Sequence, residues 1–329
     1  MLQASRVQPA TRNPQLATHK IMPNQLSSDI LMIRRANFGY NPETADNNAF
    51  QVDDKQLTIA ARKSKAIEEF DAFVEKLRKV GIHVIVMTDT ETPLKTDATF
   101  PNNWISFHEG GLIITYPMFS PNRRLERRQD IIDHLAEMFT YQNHVRLERW
   151  EQEAQYLEST GSLILDRIHK IAYACLSERT HPVLLEEYCQ FMGFQKVVFS
   201  SVDKTGRPIY HTNVMMTMGT SFVVICMDSI EKEEERANLE QLFKQTQKEI
   251  IPISLAQLYA FAGNMLQVKN KQGDTFLVMS SQAYHSLTAA QIQQIEAHTR
   301  ILHSDLTTIE TYGGGSARCM MAEVFLEAK

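Results

Sequence analysis

Residues 214–218 (VMMTM), 221–227 (SFVVICM), 231–246 (EKEEERANLEQLFKQT) and 249–253 (EIIPI) decide the fold. They read as strand, strand, helix, strand. Working outward, the same order recurs. Upstream come residues 111–116, helix 127–141 and strand 145–150, then 161–164, 171–176, helix 181–192 and strand 196–200. Downstream come 265–268, 275–279, helix 288–298 and strand 306–311. The first unit is strand 28–34, helix 56–80 and strand 82–87, with Ala66, Phe70, Phe73, Val74 and Leu77 near helical spacing. Several short strands per repeat predict an α/β ring of about five ββαβ-type modules, a propeller-like arrangement, in preference to a doubly wound sheet. Such a ring brings its loops to one central cavity. Neither GxGxxG nor a P-loop is present.

No linker-like run interrupts the repeats, so residues 26–329 read as one domain behind a flexible leader, residues 1–25. An organelle transit peptide is the weaker reading of that leader, which holds Arg6, Arg12 and Lys20 and no acid before Asp29. The net charge of -5 and pI of about 6.1 favour neither nucleic acid nor an anionic membrane as partner. No apolar run approaches the ~18 residues of a membrane span. Of four cysteines, Cys175, Cys189 and Cys226 lie among apolar residues and read as core thiols, which suits a reducing cytoplasm. Met215, Met216 and Met218 read as core as well. The His residues follow no metal-ligand spacing, so neither metal nor cofactor is expected.

Residues 313–319 (GGGSARC) place a lone thiol, Cys319, beside a cation and three glycines. This is either a glycine turn before a core thiol or a loop whose N–H groups and Arg318 activate a nucleophile. A nucleophile needs a base and an orienting group. His211 stands between strand formers, as a satisfied core histidine or as that base. Glu158 lies in the polar turn 157–162 (LESTGS), as a hairpin residue or as the orienting acid. Asp97, Asn102 and Asn103 in 96–104 (TDATFPNNW) are either turn formers or ligands for a planar, multi-donor head group. Arg179 in SERT and Arg123 in NRR are either solvated turn residues or bidentate carboxylate binders.

Together these pieces resemble the guanidino-group-modifying enzymes, the catalytic branch of the pentein fold. The order Asp97, Glu158, His211, Cys319 follows theirs over nearly the whole chain, and GGGSARCM is similar to the ending of arginine deiminases. Residues 32–34 (MIR), 36–45 (ANFGYNPETA), FPNNW, LESTGSLILDR, YHTNV and GGGSARCMMAEVFL resemble the citrulline-utilisation hydrolases, or citrullinases. Arg35 departs from the Pro of that pattern and is not expected to touch the chemistry. The resemblance implies a pentein fold, a Cys319 nucleophile with His211 and Glu158, and Asp97, Asn102, Asn103 and Asn213 around the head group. Arg179, with Arg123 less securely matched, would hold the substrate carboxylate.

Deiminases and amidinotransferases carry acids where this chain has Asn102, Asn103 and Asn213. Amides both donate and accept, which suits a neutral ureido group better than a guanidinium. The expected activity is therefore hydrolysis of citrulline to ornithine, carbon dioxide and ammonia. The rivals are a deiminase or amidinotransferase acting on a guanidino substrate, a non-catalytic pentein and a thiol-redox protein. A small amino acid is the expected partner, and exposed sheet edges in such rings allow a homo-oligomer.

Overall fold

The computed structural model describes residues 24–45, 48–53 and 56–329. The expected leader lies outside the described residues except for Asn24 and Gln25. These two are tied down: Asn24 donates to Glu109, and the Gln25 amide to the buried Leu165 carbonyl.

Among the described residues, five three-stranded sheets repeat one pattern. In each, the middle strand pairs antiparallel with one neighbour and parallel with the other. The second sheet is Ile105–His108, Leu112–Thr115 and Asn143–Arg146; the third is Ile164–Asp166, Ile171–Cys175 and Gln195–Phe199. The fourth is Met216–Met218, Phe222–Ile225 and Glu249–Pro252; the fifth is Leu266–Lys269, Thr275–Ser280 and Arg300–Ser304. A parallel pair needs a crossover. Helices Gln129–Met138, Pro182–Met192, Glu233–Gln245 and Ala289–Glu296 supply it, as Ile59–Lys79 does in the first sheet. In Ile59–Lys79 the buried apolar stripe includes Ala66, Phe70, Phe73, Val74 and Leu77.

The first sheet joins the two ends of the chain. Its middle strand, Asp29–Arg34, runs parallel to His83–Thr88 and antiparallel to Ala322–Val324, with Asp29 opposite Val324. The loop carrying Cys319 is thereby held against the first module.

Several expected boundaries move. Residues 159–162 form a helical turn, and the strand begins at Ile164. Residues 212–215 are likewise a turn of helix before Met216–Met218. The strand expected at 145–150 is Asn143–Arg146, followed by a 3-10 turn. The sequence reading has no strand at Ile105–His108, directly behind the Pro101–Asn103 turn.

Residues 306–311, expected as a strand, start the helix Thr307–Gly313; the strand is Arg300–Ser304 just before it. The β-branched Thr307, Thr308 and Ile309 are overridden by a tertiary cap. The Glu69 carboxylate, on the first module's helix, accepts from the Thr308 and Ile309 N–H groups at 2.8 and 3.0 Å. The N-cap residue, Leu306, offers no side-chain acceptor, and of the helix's N–H groups the Asp305 carboxylate takes only that of Thr307, at 3.1 Å. The core expectations stand: Cys175, Cys189, Cys226 and the three methionines are buried, and burial pushes each of those thiols up to about 11.

Glu69→Ala should cost about 1 kcal/mol, the usual worth of a helix N-terminal cap. Urea denaturation of the variant and the wild-type chain measures it.

Candidate active site

Glu158 has no exposed surface. Its Oε2 accepts from His211 Nε2 at 2.8 Å, and its Oε1 from the Phe119 N–H at 2.9 Å. Arg179 Nη1 and Arg123 Nη1 lie 3.6 and 4.0 Å from Oε2. Burial alone would raise this carboxyl. Arg179, His211 and Arg123 overcome it and hold the group down at about 2. The next residue, Ser159, takes φ 44, a left-handed conformation that costs a non-glycine residue energy. Ser162 Oγ braces the turn by accepting from the Glu158 N–H and donating to the Arg179 carbonyl.

His211 precedes the Thr212–Met215 turn and is buried. Because Nε2–H points at an ionised carboxylate, Nδ1 carries the free lone pair. Burial lowers His211 to about 4 against the opposing pull of Glu158, so the ring is neutral at neutral pH. Gly161 makes room for it. A Cβ there would stand 2.8 Å from His211 Nδ1 and 2.5 Å from Asn103 Nδ2.

Cys319 Sγ lies 3.4 Å from Asn213 Nδ2 and 3.3 Å from Asn264 Nδ2. Of the three glycines before it, only Gly314 has a positive φ, 62. The Gly314 carbonyl accepts from Tyr210 Oη at 2.8 Å, which ties the loop to the residue beside His211. Asn264 is absent from the sequence reading. The signal that finds it is the repeat: it stands just ahead of the fifth module's first strand, as Asn103, Glu158, His211 and Cys319 do in theirs.

Asp97, Asn103, Arg123, Arg179, His211 and Cys319 all line one small cavity. Arg179 and Tyr210 also line an adjoining hollow. Asp97 Oδ2 accepts from Asn41 at 2.7 Å and faces Arg123 Nε at 3.7 Å. Its Oδ1 is buried with no hydrogen-bond partner, and so are Asn213 Oδ1 and Asn102 Nδ2.

Three residues occupy places the sequence reading did not give them. Asn103 lines the cavity, but its amide is committed: Oδ1 accepts from Arg123 at 2.8 Å and Nδ2 donates to Asn102 Oδ1 at 3.0 Å. Asn102 stands behind it. Arg123 forks onto Glu126 through Nε and Nη2, both at 2.9 Å. Burial disfavours that guanidinium, yet Glu126, Asp97 and Glu158 raise it above its ordinary value. Burial raises Glu126 to about 7 against the pull of Arg123.

Arg35 packs against the loop that carries Asp97. It is fully buried over the Phe38 ring at 3.7 Å, donates to the Thr96 carbonyl at 3.5 Å, and is lowered by burial to about 9, with Asp97 the leading opposing charge. Among the described residues no group of three His, Cys, Asp or Glu side chains is placed to hold a metal ion, and no helix is long and apolar enough to cross a membrane.

Five sheets of one topology whose entry loops bring a carboxylate, a histidine and a cysteine together mark a pentein enzyme of the guanidino-group-modifying superfamily. The family model described as N,N dimethylarginine dimethylhydrolase, eukaryotic, matches residues 34–326, and the chain belongs to that family. It is an enzyme of the pentein C–N hydrolase class. No curated protein matches it in sequence. Among solved structures it is similar to the N-terminal domain of ArgZ, crystallised with a covalently bound reaction intermediate: TM-score 0.71, 14% identity, covering 91% of this chain and 98% of that domain. Against ArgZ itself, an arginine dihydrolase from the ornithine-ammonia cycle in cyanobacteria, the TM-score is 0.69 at 15% identity, and the match covers 91% of this chain but only 40% of that one. A dimethylarginine dimethylaminohydrolase, as its adduct with S-methyl-L-thiocitrulline, gives 0.61 at 15% identity over 90% of this chain and 99% of that one. At these identities the likeness is one of fold.

The His211 shift makes a signed prediction. Between about pH 6.5, its ordinary value, and pH 4 the unfolded chain binds a proton that the folded chain refuses. His211 therefore withdraws stability as pH falls through that window. Glu126 and Glu310, both raised to about 7, act in the opposite sense there, so a difference measurement is needed. The melting-temperature gap between wild type and His211→Gln should narrow steadily from pH 6.5 to pH 4.

Proposed function

We propose that this enzyme hydrolyses the ureido group of citrulline through a covalent intermediate on Cys319. One observation carries the ureido reading. The cavity-wall carboxylate Asp97 and the fully buried Glu158 beside His211 already face two guanidinium groups of that wall. Asp97 faces Arg123, and Glu158 faces Arg179 and Arg123, all within 4.0 Å. A cationic head group gains most from carboxylates without such partners; a neutral ureido group gains more from directed donors and acceptors. The open acceptors are Asp97 Oδ1 and Asn213 Oδ1.

In the reaction, the Cys319 thiol gives its proton to His211 Nδ1, and the thiolate attacks the ureido carbon. His211, charged for that moment, is stabilised by Glu158 and returns the proton to the departing nitrogen as ammonia leaves. The resulting S-carbamoyl enzyme is attacked by water, whose proton passes to His211 and back to the sulfur. The carbamate so released loses carbon dioxide to give ornithine. Asp97 holds ureido N–H groups, with Asn103 fixed beside it. Arg179, which lines both the cavity and the adjoining hollow, is placed to meet the amino-acid carboxylate. Arg123 orders Asn103, Asp97 and Glu126 from behind.

The second reading is hydrolysis of a guanidino group, arginine or a methylated arginine. The family description and the ArgZ and dimethylarginine hydrolase structures favour it. Ammonia release from citrulline, arginine and dimethylarginine, measured side by side, separates the two. Citrulline should exceed the others by at least about tenfold in kcat/KM, and Cys319→Ala should abolish turnover. Preferred turnover of arginine or dimethylarginine overturns the ureido reading, and a fully active Cys319→Ala overturns the covalent one.

A further inference from the structure

We infer that Asn264 is a positioning residue for the Cys319 thiol, a role that rests on Cys319 being the nucleophile. Its side chain is buried on the strand-entry loop of the fifth module. Nδ2 donates to the Asn213 backbone carbonyl at 2.9 Å and approaches Cys319 Sγ at 3.3 Å. An amide nitrogen has two hydrogens, so both contacts are made at once. The orientation is set by chemistry: a flipped amide would press Oδ1 against the Asn213 carbonyl, acceptor to acceptor. The Asn264 backbone carbonyl, in turn, accepts from the Arg318 N–H at 3.4 Å, which docks the cysteine loop on the same residue.

The same side chain serves both protonation states of the sulfur. Its Nδ2 donates to a thiolate, and its Oδ1, 3.6 Å from Sγ, accepts from a thiol. Asn213 Nδ2 adds a second donor. Two amide N–H groups aimed at one sulfur favour the anion and hold its rotamer over the cavity without a cation that would repel or capture the head group.

The test uses the whole chain and iodoacetamide, with alkylation followed on the Cys319 peptide by mass spectrometry between about pH 6 and 9. Asn264→Asp keeps the shape but replaces the donor with an acceptor carboxylate. Its alkylation profile should move to more alkaline pH, slowing the reaction at pH 7 about tenfold. Asn264→Ala should shift the profile the same way by less, lowering kcat while KM stays within about twofold. An Asn264→Asp protein that melts like wild type and alkylates along the wild-type profile overturns the inference. So does a fall in melting temperature with an unmoved profile, which marks a purely structural role. The readout does not depend on which substrate is used. An unmoved Asn264→Asp profile beside an inactive Cys319→Ala removes this inference alone; an active Cys319→Ala removes the nucleophile reading beneath it.

Discussion

An ionised carboxylate survives in a protein interior only where charges and N–H groups are brought to it, and Glu158 is such a carboxylate. Its neighbours come from widely separated parts of the chain. Phe119 and Arg123 belong to the second module, Arg179 to the third, and His211 to the entry of the fourth. Removing one of them leaves a buried charge without its match, so they stand or fall together. The strained Ser159 turn is the local cost of pointing Glu158 inward, and the Ser162 bridge to Arg179 keeps it so. From there the constraint passes outward: Glu158 sets the His211 tautomer, and Gly161 leaves the space the ring needs.

The modules give this cluster its common address. Each one presents the residues just before its first strand: Asn103, Glu158, His211 with Asn213, Asn264, and Cys319. Those positions converge because every first strand runs antiparallel to the middle strand of its own sheet, in the same way five times. For Cys319 the first strand, Ala322–Val324, is also the last of the five and pairs with Asp29–Arg34 near the start of the chain. The Cys319 loop therefore depends on the strand Asp29–Arg34 for its position.

This repeat explains which parts were legible in the sequence. Cys319 announces itself by its glycines, and His211 and Glu158 by polar breaks in apolar strands. The modules show because a helix separates each parallel pair. Asn264 carries no such mark: a lone amide before a strand looks like a turn until the fifth module is laid over the others. The helix Thr307–Gly313 reads as a strand because its β-branched residues favour one locally, whereas the Glu69 cap comes from a helix more than two hundred residues away. Arg35 departs from the expected Pro, and sequence alone does not show the Phe38 ring beneath it.

The amides illustrate a subtler case. In the sequence, Asn102 and Asn103 suggest a neutral head group because they replace acids that would face it. In the structure the pair faces Arg123 and each other. An acid in place of Asn103 would meet Arg123 directly, compete with Glu126 for it, and add a further negative charge to the cluster. With an amide there, Arg123 stays forked on Glu126, and Asp97 and Glu158 keep their cationic partners. Asp97, Arg123, Glu126, Glu158 and Arg179 thus form one buried network, with Asn103 as the residue that lets the network close.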